Sequence, residues 1–430
     1  MNKSRLLSNN AIRLWPALFA ALAIYFLAWL IIAPVALAQG LPVLYGVTDR
    51  VAPNDEAMGT KLGGFTAYPK LALLTGYDGN LLATETNELS SARFQVDPSL
   101  ALESDWSRHA LQLGGFLSSR IYSEHSSQDN LNWGVGGAGT LDVLENADLG
   151  AMVGYQQLTD PRGGINGPIN SPDPVQYDLI QASTAGSYRV NKVDLSMVAN
   201  LQVYEYDEAS QKYRNREVYS LTGQIGYSFS PGYEAFVRGT NTKTDFNNLS
   251  APLPPPAVPG TRVTQDSEGY RVAAGISSEI TNLISGEAFV GYLDQDYQST
   301  QFEDVSGVSF GVDLTWKASE LTTVRLTGSR EVMDSTNPIA GGIFYSIGTI
   351  GIDHELTRGL DLKGDFSYYN ADYVGSKRDD DGFRFSLGAD YRLSQRVQLN
   401  LTYTYDDRDS NFSGQSYTRN LVMMGVTLQH

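Results

Sequence analysis

Leu360-Asp361-Leu362-Lys363-Gly364-Asp365-Phe366-Ser367-Tyr368 alternates side-chain character without a break. Successive side chains of an extended strand point to opposite faces. Leu360, Leu362, Phe366 and Tyr368 therefore share one face with Gly364, and Asp361, Lys363, Asp365 and Ser367 share the other. A helical period gathers neither set. Val397, Leu399, Leu401, Tyr403 and Tyr405 alternate in the same way with Gln398, Asn400, Thr402 and Thr404. So do Phe310, Val312, Leu314 and Trp316 with Gly311, Asp313 and Thr315.

Outward from these stretches, one unit repeats from about residue 65 to 430. A run of roughly ten alternating residues meets a short turn, alternates again, and opens into a longer polar loop. Short connections centre on Asp105-Trp106-Ser107, Glu145-Asn146, Asn191-Lys192, Ser230-Pro231-Gly232, Thr281-Asn282, Ala318-Ser319, Thr357-Arg358 and Ser394-Gln395. Long ones lie near 78–92, 123–131, 158–174, 207–215, 243–267, 296–303, 333–342, 373–381 and 407–415. Nine long and eight short connections imply 18 strands, or 16 should the poorly alternating segments 64–77 and 174–190 be miscounted. The fold class expected is all-β: a transmembrane antiparallel up-and-down barrel with short periplasmic turns and longer extracellular loops.

Composition agrees. Charged residues make up 18%, aromatics 11%, with 25 Tyr and 42 Gly, a mixture suited to long exposed strands and a lipid–water boundary. Mean hydropathy is below zero, which excludes a helical-bundle membrane protein but not strands that are half apolar. The absence of cysteine removes disulfide scaffolds, thiolate metal sites, cysteine nucleophiles and N-terminal Cys lipidation.

Residues 1–38 read as a cleaved secretory signal. Lys3, Arg5 and Arg13 precede the apolar run Trp15 to Ile32, and Ala36-Leu37-Ala38 offers the small–any–small cleavage pattern before Gln39. The alternative is a retained anchor, since the run is long enough to span. Of 31 basic and 48 acidic residues the signal carries three basic and no acidic ones, so the mature chain would hold 28 against 48, a net charge of −20. That balance argues against nucleic acid as a partner. Residues 39–64, with Pro42, Pro53 and Gly59, read as a periplasmic lead-in, and 65–430 as the barrel. The Pro-rich run 251–260 reads as a stiff solvated loop.

The chain ends as such barrels do. Val422, Met424, Val426, Leu428 and His430 occupy every second position, although His430 stands where Phe or Trp is usual. Aromatics gather at strand ends: Tyr227, Phe229, Tyr233, Trp316 and Tyr391 beside short turns, and Tyr292, Tyr368, Tyr369, Tyr403 and Tyr405 toward the opposite rim. Two girdles at the membrane interfaces account for both groups.

Catalytic chemistry finds little to use. Only His109, His125, His354 and His430 are present, and the outer-loop run Ser123-Glu124-His125-Ser126 places its members next to one another rather than on converging segments. No catalytic residue is assigned, and the chain is expected not to be an enzyme. Asp379-Asp380-Asp381 and Asp406-Asp407-Arg408-Asp409 fall at expected outer loops without the ligand spacing of a calcium loop, so no metal or cofactor is assigned.

The better candidates are charges on the polar face. A Lys or Arg facing lipid at mid-membrane costs about 2–4 kcal/mol, so that face must meet the lumen. The phase assigns as lumen-lining Arg93, Asp97, Arg120, Arg189, Asp194, Arg238, Arg271, Glu287, Asp313, Arg325, Asp361, Lys363, Asp365, Arg384, Asp390 and Arg392, with Glu103, Glu234 and Asp406 beside them. Nearly balanced lumen charge predicts weak ion selectivity, which the acidic chain as a whole tilts toward cations.

Tyr77-Asp78-Gly79-Asn80, Phe94 to Pro98, and Leu100-Ala101-Leu102-Glu103-Ser104-Asp105-Trp106-Ser107-Arg108-His109-Ala110-Leu111 resemble the putative β-barrel porin 2 family of proteobacteria, with Gly79 where a second Asp is expected. The resemblance extends from about residue 65 to the end. It implies a Gram-negative outer-membrane barrel, often associated with exopolysaccharide or capsule production, and brings no catalytic residues. Two readings of function follow. One is a porin-like channel that passes small hydrophilic solutes or takes part in polysaccharide export. The other is a plugged structural or assembly barrel of an envelope machine. Expected partners are outer-membrane lipid and lipopolysaccharide, the barrel-assembly machinery, and polysaccharide or its export proteins.

Overall fold

The alternating stretches form eighteen long antiparallel strands that close on themselves. The computed structural model describes residues 57–167, 171–249, 262–278, 283–335, 337 and 339–430. The signal at 1–38, most of the lead-in, the Pro-rich run 251–260 and the turn Thr281-Asn282 lie outside those residues. A short strand β1 (Thr60–Leu62) precedes the barrel. The first half of the ring comprises β2 (Phe65–Asp78), β3 (Ser91–Ser104), β4 (Ala110–Tyr122), β5 (Asn130–Leu144), β6 (Ala147–Thr159), β7 (Gln176–Val190), β8 (Val193–Tyr206), β9 (Arg216–Ser230) and β10 (Tyr233–Phe246). The second comprises β11 (Ser267–Ser278), β12 (Ile284–Tyr297), β13 (Val305–Ser319), β14 (Thr322–Asp334), β15 (Gly342–Thr357), β16 (Leu360–Tyr373), β17 (Asp379–Ser394), β18 (Val397–Ser410) and β19 (Tyr417–Gln429).

Each strand pairs with its sequence neighbours, and β19 returns to β2 in a register running from Leu421↔Asp78 to Gln429↔Lys70. Gly76 and Gly425 sit in that closing seam, where a Cβ would strike the carbonyls of Val422 and Leu73. At the short-turn end β2 overshoots β19 and would leave an unpaired edge. Two devices cover it: β1 pairs with β2 (Thr60↔Ala67 to Leu62↔Phe65), and the His430 amide donates to the Pro69 carbonyl at 3.3 Å.

Along the strands, large apolar side chains recur at alternate positions exposed on the outer surface. In β17 these are Phe385, Leu387, Tyr391 and Leu393. From Phe383 to Leu393 the row measures about 33 Å along the strand, or about 25 Å of height at a tilt of ~40°, the hydrocarbon band of such barrels. The outer surface thus carries an apolar belt, and the polar phase turns inward.

The short hairpins begin one or two residues later than the sequence pattern places several of them. The turns are Glu320-Leu321, Arg358-Gly359 and Gln395-Arg396, each preceded by a register shift, between Lys317 and Ser319, Glu355 and Thr357, and Arg392 and Ser394. A bulge adds one residue to a strand, so a strict period of two miscounts there. Gly359 supplies the left-handed conformation (φ +88°) that such a turn requires.

Candidate conduit and its constriction

On β3, Phe94, Val96 and Leu100 face outward, so Arg93 and Asp97 face inward. The same phase turns inward Arg120, Arg189, Asp194, Arg238, Arg271, Glu287, Asp313, Arg325, Asp361, Lys363, Asp365, Arg384, Asp390 and Arg392. Many of these meet as ion pairs between neighbouring strands. Lys363 Nζ lies 2.7 Å from Asp390 Oδ2, Arg384 Nη2 2.7 Å from Asp406 Oδ2, and Arg392 Nη2 3.2 Å from Asp361 Oδ2. Arg189 pairs with Asp194, and Arg325 with Asp353. Arg238 reaches past β11 to clasp Glu287 through both Nη atoms at 3.0 and 2.9 Å, is covered by the rings of Phe236 and Phe289, and is only 1% exposed. Arg271 stacks over Phe289 at 5.6 Å, and Asp313 stands opposite Glu287 in register. Asp365 shares the electrostatic field of Arg325. Asp97 accepts a hydrogen bond from Gln95 and acts on Arg120, while Arg93 donates to Gln95.

The two ends of the lumen differ. Toward the short turns the charged side chains stay wet: Arg189 is 67%, Lys363 43% and Arg325 38% exposed. Toward the long loops the interior is packed. The described residues of the β6–β7 connection, 160–167 and 171–175, lie in the mouth, and 163–165 reach strands on the opposite side of the ring. Tyr373 Oη of β16 donates to the Ile165 carbonyl at 2.8 Å. Tyr417 Oη of β19 and Arg408 Nη1 of β18 approach the Gly163 carbonyl at 3.3 and 3.4 Å. Ile165 packs on Met333, Ile343, Tyr345, Tyr369, Ala371 and Tyr373. From the β8–β9 connection, Arg214 donates to the Asn166 carbonyl at 3.0 Å and pairs with Asp160 at 2.5 Å. The loop is therefore held at Asp160 and again at Gly163, Ile165 and Asn166. A second cross-lumen tie joins Arg216 of β9 to Asp334 of β14 at 2.7 Å.

Beneath this loop lies a cavity of about 70 Å³ lined by five arginines, Arg93, Arg120, Arg384 and Arg419 from the walls and Arg162 from the loop. Arg419 is held by Asp78 (2.5 Å), Arg384 by Asp406, and the lining residue Asp160 is already taken by Arg214. Arg162 bonds only neutral oxygens among its described hydrogen bonds: Gln128 Oε1 at 2.7 Å and the carbonyls of Ser171 and Pro172 at 2.5 and 3.2 Å. Burial pushes the Arg162 guanidinium below its ordinary value, partly offset by Asp173 and Asp160.

Three expectations need correction. Asp379-Asp380-Asp381 and Asp406-Asp407-Arg408-Asp409 belong to β17 and β18 rather than to loops. Their carboxylates consequently alternate between faces. Asp380 is buried inside against Arg378 at 2.5 Å and Ser410 at 2.5 Å, whereas Asp381 lies outside against Tyr368 at 2.6 Å. Among the described residues, no group of three His, Cys, Asp or Glu could hold a metal. Tyr369 is not in the outer girdle; it is 9% exposed and faces the lumen beside Tyr345. His125 precedes a single 3-10 turn, Ser126–Gln128, and its carbonyl accepts the Gln128 amide at 2.9 Å.

The residues that sequence reasoning missed are Arg162, Arg214, Arg216, Asp334, Arg408 and Arg419. The first two sit on loops, where no period marks a face. Arg419 shares the inward phase of β19, so that phase could have identified it.

A family model described as putative beta-barrel porin 2 matches residues 52–430. No curated protein matches the chain. Among solved structures, a mutant of the ferric enterobactin receptor PfeA from Pseudomonas aeruginosa is similar at 8% identity, over 85% of this chain and 80% of that one, with a TM-score of 0.43. OpdL from Pseudomonas aeruginosa is similar at 10% identity, over 86% and 99%, with a TM-score of 0.43. A BenF-like porin from Pseudomonas fluorescens Pf-5 is similar at 9% identity, over 85% and 99%, with a TM-score of 0.44.

Proposed function

This chain belongs to the putative beta-barrel porin 2 family, and on that premise we propose that it is a non-enzymatic, porin-like channel of the outer membrane that passes small hydrophilic solutes. The observation that carries the proposal is the ring of eighteen strands with ionised side chains on its inner face. A ring of this size is too wide for side chains alone to fill, and charges that remain 38–67% exposed inside it need water around them. Water continuous with the lumen is a path for small solutes. The long loops face outward toward lipopolysaccharide, the short turns face the periplasm, and the barrel-assembly machinery inserts the chain.

The docked β6–β7 loop supports the second reading, a barrel closed at its mouth that serves as a scaffold. It also bears on cargo. An exopolysaccharide or capsule chain, which the family resemblance implies, would have to pass the same mouth across which the loop bonds to Tyr373 and Tyr417. Small solutes suit this mouth better. Single-channel recording of the refolded, signal-free chain in a planar bilayer separates the readings. Discrete current steps are expected. Silence from protein shown by circular dichroism to be folded β-sheet favours the scaffold.

A further inference from the structure

We infer that the arginine-lined cavity beneath the β6–β7 loop is a binding site for a small oxyanion, a phosphate or a short carboxylate. The binding itself is independent of the channel reading; its position on a conduction path rests on that reading.

The charge balance is the first argument. Each carboxylate at the cavity already holds an arginine: Asp406 holds Arg384, Asp78 holds Arg419, and Asp160 holds Arg214. Assigning Asp97 to Arg120, on which it acts, still leaves Arg93 with a neutral oxygen for its partner, while Arg162 donates to neutral oxygens and is acted on by the exposed carboxylate of Asp173. The buried charge of Arg93 thus faces the cavity without a matching anion, and the carboxylate acting on Arg162 lies on the solvent-exposed side. Burying ionised groups uncompensated is costly, and a bound anion would remove much of that cost.

Geometry is the second. Arg93 lines the cavity, is more than nine-tenths buried, and its Nε has no hydrogen-bond partner. A guanidinium presents a planar fork that matches the oxygen pair of a carboxylate or phosphate. Arg93 comes from the wall and Arg162 from the loop, so an anion between them would be gripped from two sides. A cavity of about 70 Å³ admits an ion of phosphate size.

Because Arg162 is carried by the loop, an anion in the cavity also ties that loop to the wall. Occupancy therefore stabilises the docked arrangement, and the affinity should fall when either arginine is lost.

The test is titration calorimetry of inorganic phosphate into the refolded full-length barrel in detergent at low salt. Saturable binding is expected, weakened about tenfold by R162Q and about tenfold by R93Q, the scale of losing one charge-assisted hydrogen bond. Conservative R162K should lose less than R162Q, since charge remains while the fork is removed. Folding is verified by heat-modifiable migration, and R162Q, a loop change, carries the test should R93Q fail to fold. Absence of saturable heat, or equal affinity in wild type and R162Q, overturns the proposal. Phosphate binding without current in a bilayer retains the site and refutes the channel; current without phosphate binding does the reverse.

Discussion

Removing the hydroxyls that hold the β6–β7 loop against the far wall should make the channel open more often without changing its open conductance. Tyr373→Phe deletes a 2.8 Å hydrogen bond to Ile165, and Tyr417→Phe a 3.3 Å approach to Gly163. Both rings stay, so Arg378 still stacks over residue 373 at 4.2 Å and Arg408 over residue 417 at 4.8 Å. Asp380 and Asp406 each lose a Tyr hydroxyl but retain their arginines, Arg378 and Arg384. A hydrogen bond of this kind contributes about 0.5–1.5 kcal/mol net, so the pair contributes about 2 kcal/mol and shifts the docked-to-undocked ratio about 30-fold. The partly buried Ile165 side chain, worth roughly 1 kcal/mol by itself, and the Arg214–Asn166 contact remain and keep the loop docked most of the time. Single-channel records in planar bilayers therefore should show the same open level with dwell-time ratios moved by more than tenfold. A ratio changed less than threefold, in protein that is folded and conducts, would refute the view that this loop gates the mouth.

Three further predictions test the barrel itself. Glu287→Gln leaves Arg238 buried without its anion and should cost about 3–5 kcal/mol in urea unfolding from lipid vesicles; a midpoint unchanged from wild type counts against a buried pair. Gly425→Val places a side chain against the Leu73 carbonyl and should abolish the heat-modifiable folded band, whereas Gly223→Val, with open space around it, should leave the band intact. Asp105 accepts hydrogen bonds from Lys61 and Thr66, which hold its carboxyl below the ordinary 3.8. This support for β1 is thus fully present above pH 3.8 and is lost as pH falls through the lower folded value. Hydrogen exchange at residues 60–62 should stay constant from pH 7 to 5 after correction for intrinsic rates, rise below 3.8, and show no such step in Lys61→Met.

Strand number and facing were legible because lipid imposes one rule on every spanning segment: alternate residues must be apolar. Where the interior is also apolar, that rule loses contrast. In β7, Tyr177 and Leu179 point inward and pack with Leu158, Tyr204 and Tyr206, so the segment near 174–190 alternates poorly in sequence yet is a full strand. In β2 the early residues Phe65 to Ala67 pair with β1 below the end of β19, and Leu74 lies inward at the seam. Strand ends with two apolar faces therefore mark where something packs inside the mouth. The identity of that element stays hidden, because contacts such as Tyr373 with Ile165 join residues 208 positions apart and leave no period behind.

Total charge and the charge around the cavity point to opposite selectivities. The chain carries a net charge of −17, which alone suggests a preference for cations. Much of the acid near the long-loop end, however, lies on the outer surface, where tyrosines of the girdle donate to it: Tyr368 to Asp381 at 2.6 Å, Tyr270 to Asp294 at 3.4 Å, Tyr405 to Asp407 at 3.4 Å, and Tyr219 to Glu217. These carboxylates lie beyond the apolar band and are separated from the lumen by the barrel wall. Exposed charges more than ~8–10 Å apart are largely screened at physiological salt, so the outer acids contribute little to the field inside. Arg93 and Arg162, by contrast, line the cavity beneath the β6–β7 loop, inside the barrel wall. Arginines outnumber carboxylates around that cavity although the protein is acidic, so on the proposed channel reading the reversal potential in a salt gradient should favour chloride over potassium and move toward potassium in R162Q.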